Sequence, residues 1–234
     1  MRSSRWQAHG NVYLVVEEPL AAAQVRALVD GADGILEVRA RGGDWLEIVI
    51  WNPDGSRAEM SGNGTRIAAR WLSDQTGAEQ VTVRVGARLV GARMLAGRLV
   101  EQDLGAVVVG APEEIEGIRF TPVDVGNPHA VVEGDPAELP RLGPLLEGHP
   151  RFPGRTNVQV ARRLDAETIE ARVWERGVGE TDASGSSAVA IVAALGGGRA
   201  TVRFPGGELE VRIEDGHALL TGGAERCDPA EPAR

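Results

Sequence analysis

Residues 51–64 read WNPDGSRAEMSGNG, and residues 174–187 read WERGVGETDASGSS. In each stretch a Trp stands ten positions ahead of a Ser-Gly pair: Trp51 before Ser61-Gly62, and Trp174 before Ser184-Gly185. An acid, Glu59 or Asp182, lies two residues before the serine. The copies are 123 residues apart (61 to 184), about half the chain, which marks an internal repeat. In both, a strand-like run ends at the Trp, a polar loop follows, and the serine opens a helical run. Taken singly, either serine is a helix N-cap. Taken together, they predict two related halves, each presenting the amide donors of a helix start, with the cleft between halves as the place for a site.

The rest of the chain supports a sheet-rich architecture. Short alternating runs at 12–17, 45–51, 81–85, 129–133, 157–163, 168–175 and 200–213 suit half-buried antiparallel strands. Helical segments are fewer, at 20–30, after Ser61, at 137–149 and after Ser184. The run after Ser184 is apolar on every side, as a helix enclosed by sheet must be. Without a regular βαβ rhythm the expected class is α+β. The expected organisation is two pseudo-symmetric domains, each a largely antiparallel sheet wrapped around a central helix. Their expected bounds are 1–110, completed by a closing strand at 217–234, and 111–216, with the Pro/Glu-rich 110–122 as a joint.

Composition removes several function classes. The formal net charge of -9, with arginines scattered rather than striped, excludes a nucleic-acid partner. No apolar run reaches the length of a membrane span, and no secretory segment is visible, so the expected place is the cytoplasm. All 25 basic residues are arginine, so the chain has no Schiff-base or phosphate-loop lysine. The four histidines lack metal-ligand spacing, and Cys227 is the single cysteine. Neither a metal nor a cofactor is expected.

Around the two turns lie Asn11, Asn52, Asn63, Asn127 and Asn157, each in a Gly or Pro context where it also suits a turn. Glu175-Arg176 follows Trp174, either to hold an amino group and a carboxylate or as a solvated ion pair. Such a set fits a small zwitterionic amino-acid substrate better than a nucleotide or sugar.

At these residues the chain resembles the diaminopimelate epimerases. The resemblance is carried by HGNVYLVVE, GADGILEV, WNPDGSRAEMSGNGTR, VGNPHAVV, LGPLLEGHPRFPGRTNV, WERGVGET, ASGSS and LLTGGAER, spread in order over nearly the whole length. It implies a cofactor-independent isomerase that interconverts LL- and meso-diaminopimelate, in the lysine and peptidoglycan precursor pathway, by two-base proton transfer. It also implies a possible homodimer. The family's two catalytic cysteines match Ser61 and Ser184, which become the implied catalytic positions. Gly62-Asn63 and Gly185-Ser186 match the amide cradle of the reacting carboxylate. Asn11, Asn52, Asn127, His129, Asn157, Glu175 and Arg176 match substrate-holding positions.

The chain departs from its family at the decisive place: the expected CGNG is SGNG and the expected ACGTG is ASGSS. HGNVY also stands where the family usually has an Asp-Phe pair after the Asn. A serine hydroxyl acts as a base only when a neighbour takes its proton, and Asp182, Glu59 and His129 are the candidates near the motifs. Alternatively, a Ser/Ser branch acts on another amino-acid-like substrate, or binds one without epimerising it. Deliberate replacement of both cysteines fits the altered surroundings of the serines least.

Overall fold

In a computed structural model of the protein, which describes residues 2–227, the chain divides into two units. One takes the chain as far as Gln102 and resumes at Gly222; the other runs Asp103–Thr221.

The first unit begins with β1 (Ser3–Ala8), β2 (Asn11–Val16), α1 (Ala22–Leu28), β3 (Gly34–Arg41) and β4 (Trp45–Trp51). It continues through β5 (Arg57–Ala58), α2 (Gly62–Thr76), β6 (Gln80–Val85), β7 (Arg88–Met94) and the start of β8 (Leu99–Ala106), whose residues from Asp103 on belong to the second unit. Along this path β1/β2 pair antiparallel, β2/β3 parallel, β3/β4 antiparallel, β4/β6 parallel, and β6/β7 and β7/β8 antiparallel. Helices α1 and α2 form the crossovers of the two parallel pairs.

The second unit opens on β9 (Val108–Val109), β10 (Glu113–Ile115), β11 (Ile118–Asp124), β12 (Pro128–Glu133), α3 (Leu139–Glu147) and β13 (Asn157–Arg163). Then come β14 (Thr168–Glu175), β15 (Gly179–Thr181), α4 (Gly185–Ala194), β16 (Arg199–Phe204), β17 (Gly207–Glu214) and β18 (His217–Gly223). From β11 the succession of senses is the same: antiparallel, parallel, antiparallel, parallel, antiparallel, antiparallel. Helices α3 and α4 are the crossovers here. A last strand, β19 (Glu225–Arg226), pairs with β1. Of the expected closing strand 217–234, residues 228–234 lie outside the described residues.

The fold is therefore α+β, sheet-dominated and built twice. Each central helix is ringed by strands of its own unit: α2 packs on β1, β2, β4, β6 and β7, and α4 on β11, β12, β13, β16 and β17. Residues Ala188–Val192 of α4 are all fully buried. Each such Val or Ile contributes about 1.5–3 kcal/mol by leaving water, which holds an all-apolar helix in place. No helix among the described residues is long and apolar enough to cross a membrane.

The stretch 110–122 is no joint. It folds into the β10–β11 hairpin, with Ile115 opposite Ile118 and a turn at Glu116-Gly117, both at positive φ (51° and 80°). Such a primed turn matches strand twist. Glu114 and Glu116 are exposed, while Ile115 and Phe120 enter the core of α3. The topology also aligns GNVYLVV (10–16) with GNPHAVV (126–132), two segments that open β2 and β12 after glycines at φ 83° and 85°. Tyr13 and His129 thereby occupy equivalent places.

Candidate active site

Ser61 and Ser184 are the N-caps of α2 and α4, in extended backbone at φ/ψ -144°/118° and -143°/128°. Beyond each, the first-turn amides, at Gly62-Asn63 and Gly185-Ser186, have no carbonyl within the helix to bond. The two serines are used differently.

Ser61 Oγ accepts the Gly64 amide (3.0 Å) and lies 3.1 Å from the Tyr13 hydroxyl. Around it the side chains lock one another. Asn63 donates through Nδ2 to Asn11 Oδ1, and Asn63 Oδ1 accepts from Arg66 Nη2. Arg66 is fully buried, also donates to Gly223 O (3.3 Å), and burial pulls its pKa down to about 9. The Gln102 amide, oriented to satisfy both its ends, donates to Gly62 O (3.0 Å) and accepts from the Arg66 amide (3.0 Å). Asn52 spends its side chain on Ser56 Oγ (2.9 Å), closing the turn after β4.

Ser184 makes no cap bond to its helix. Its hydroxyl is one of two, with that of Thr181, that favour the charged form of the nearby Glu175 carboxylate. Glu175 Oε1 accepts from Thr181 Oγ1 (2.6 Å). Burial raises the Glu175 carboxyl above the ordinary glutamate range, and the neighbouring Thr181 and Ser184 hydroxyls offset part of that rise. The hairpin of β14 and β15, in which Glu175 pairs with Gly179, turns the chain back toward the serine nine positions later. Asn52 holds the same offset from Ser61, so the repeat places Asn in one unit and Glu in the other.

His129 is fully buried and does not serve Ser184. Its Nδ1 faces the Gln159 amide nitrogen (2.9 Å), so its Nε2–H donates to Asn127 Oδ1 (3.0 Å). Gln159 also donates to Ser187 Oγ (3.0 Å). Burial, the largest influence, lowers the His129 pKa to about 3, with Arg176 adding to the effect against the Gln159 bond. Glu59 and Asp182 are exposed. Of the groups near the motifs, then, the carboxylate whose ionisation a serine influences is Glu175, whose position directly after the repeated Trp is its sequence signal.

Asn157 binds Pro128 O through Nδ2 (2.9 Å) and accepts the Arg176 amide on Oδ1 (3.0 Å). It thus fixes the backbone from which Arg176 extends; the guanidinium reaches Gly154 O (3.3 Å). Each repeated Trp donates its indole N–H at 2.7 Å to a carboxylate, Trp51 to Glu37 and Trp174 to Glu147. Glu147 Oε1 further accepts the Gly177 amide (2.7 Å), tying down the turn that bears Glu175 and Arg176. Glu147→Gln puts an NH2 against one of these donors. It is expected to lower the unfolding free energy by about 1–3 kcal/mol, read from urea denaturation.

The family model for diaminopimelate epimerase matches residues 121–227. Diaminopimelate epimerase of Synechocystis sp. is 34% identical, over 95% of this chain and 95% of its own length. Diaminopimelate epimerase 2 of Nostoc sp. is 35% identical, over 99% and 95%. Among solved structures, a hydroxyproline epimerase from Agrobacterium vitis, with bound trans-4-hydroxy-L-proline, superposes with a TM-score of 0.69 at 18% identity, covering 97% of this chain and 89% of its own. A protein described as a predicted epimerase from Pseudomonas aeruginosa gives 0.75 at 19%, covering 100% and 99%.

Proposed function

The chain belongs to the diaminopimelate epimerase family, and from that premise we propose that it inverts the α-carbon of a zwitterionic amino acid through two serine-centred proton-transfer groups. The observation that carries this is the Glu175 carboxylate, held by Thr181 Oγ1 at 2.6 Å and near enough to Ser184 for the serine to favour its charged form. A helix terminus stabilises an anion by about 0.3–2 kcal/mol, far too little to make an alkoxide the resting form of a serine at neutral pH. A half-buried carboxylate beside the serine removes the need for one. As the α-C–H bond breaks, its proton passes to Ser184 Oγ while the serine's own proton passes to Glu175. The substrate carboxylate, bound to the Gly185 and Ser186 amides, takes up the charge left on carbon as an enediolate. Ser61, with the Gly62 and Asn63 amides, is the proposed donor for the opposite face.

The proposed substrate is diaminopimelate in its LL and meso forms. Family membership supports it, as does Arg176, a cation suited to the carboxylate of a second amino acid end. Chiral chromatography of LL-diaminopimelate incubated with the protein is expected to show conversion to the meso isomer. Binding by calorimetry without any conversion would instead indicate a protein that keeps the ligand site and has lost the reaction. Neither binding nor conversion would exclude this substrate.

A further inference from the structure

Ser61 has no carboxylate like that of Ser184, and its repeat-related Asn52 is spent on Ser56. Its hydroxyl meets Tyr13 at 3.1 Å instead. Tyr13 is held there by the sheet. It sits in β2, in parallel register with Gly34 and opposite Trp6, and is 9% exposed. A Cβ at Gly34 would lie 2.8 Å from Tyr13 Cε1 and 2.6 Å from Trp51 O, so the ring occupies space that only a glycine leaves open. Its hydroxyl thus reaches the cap of α2 from a rigid strand.

We propose that Tyr13 is the proton source behind Ser61, so that the first unit delivers its proton from a Tyr13–Ser61 pair rather than from a lone serine. This rests on the isomerase function proposed above. The step balances without a co-reactant. The carbanion takes the Ser61 proton and forms a C–H bond; the Tyr13 O–H bond breaks and returns a proton to Ser61 Oγ; a phenolate remains until water reprotonates it. A phenol ionises near pH ~10, whereas an alkyl alcohol is far less acidic, so the phenolate is the easier anion to leave behind. Tyr13 acts through Ser61 and is a positioning residue and proton reservoir, not a group in contact with substrate.

Tyr13→Phe removes one oxygen and keeps the ring, so the packing against Gly34 survives. The expected result is loss of LL-to-meso interconversion by about 100-fold or more, within the usual range for a positioned acid. Exchange of the α-proton of one stereoisomer with solvent should persist, because the Glu175–Ser184 group is untouched. Wild-type activity should fall at high pH as the tyrosine ionises, and the variant should lack that fall. Interconversion within threefold of wild type would overturn the assignment, as would equal loss of exchange and interconversion, the mark of a merely structural role.

A readout independent of turnover separates this inference from the isomerase function itself. Tyr13 is the one tyrosine in the chain, so tyrosinate absorbance reports it alone. Ser61→Ala removes a donor to the phenolate and should move that titration to higher pH. An unchanged titration would show that the pair does not form, whether or not the wild type isomerises diaminopimelate; a shifted titration in an inactive wild type would retain the pair and overturn its proposed role.

Discussion

Glu175→Gln is expected to slow interconversion by about 10²–10⁴-fold while the protein stays folded and still binds its substrate. The amide keeps the shape of the carboxylate and can still accept from Thr181, but it cannot take a proton from Ser184. Wild-type activity should fall as pH drops through the ionisation of Glu175. That limb lies above the ordinary carboxylate range, because burial raises the group. The stability change has the opposite sign to the catalytic one. A carboxyl with a raised folded pKa binds its proton more readily in the native state than in the unfolded chain, so its ionisation costs stability above that pH. Neutral Gln removes this cost, and the variant should unfold no earlier than wild type at pH 7. A variant that lost activity because it lost structure would unfold earlier.

Acid should destabilise the fold through His129. The imidazole is buried neutral, with a pKa lowered to about 3 from 6.5. Between those values the unfolded chain binds a proton that the native state refuses, so stability rises with pH and is lost as pH falls below 6.5. At pH 5 the unfolded state gains on the order of 2 kcal/mol from this one group. Urea unfolding at pH 7 and pH 5 should show a loss of that size, beyond what the carboxylates contribute. Nuclear magnetic resonance should show a His129 ring that keeps its neutral Nε2–H form at pH 5. A ring that titrates near pH 6.5 would mean that the Gln159 and Asn127 bonds do not hold it in solution.

Much of the fold is legible in the sequence because it is local. The runs at 45–51, 157–163 and 168–175 alternate or are apolar throughout, and they are β4, β13 and β14. The two serines cap the two helices because Ser before a helix-forming run has few other uses. The first strand, SSRWQA, was not legible: only Trp6 and Ala8 are buried among polar neighbours, and its pairing with β2 and β19 defines it. The hairpin at 113–124 was hidden by a composition of Pro and Glu that resembles a linker. At the site, the helix starts and the asparagines could be found from motifs. The partners of the two serines could not. Tyr13 lies 48 positions from Ser61 and meets it through sheet register, and Glu175 comes near Ser184 because the β14–β15 turn folds the chain back.

The most direct measurement is to incubate LL-diaminopimelate with the protein in heavy water and follow both stereoisomers by mass spectrometry and chiral separation. Two proton-transfer groups of different chemistry predict meso product carrying deuterium at the inverted carbon, while unconverted LL substrate stays largely unlabelled at early times. Failure of deuterium to enter the α-position of either isomer, with no inversion, would contradict the proposed proton transfer at Ser61 and Ser184.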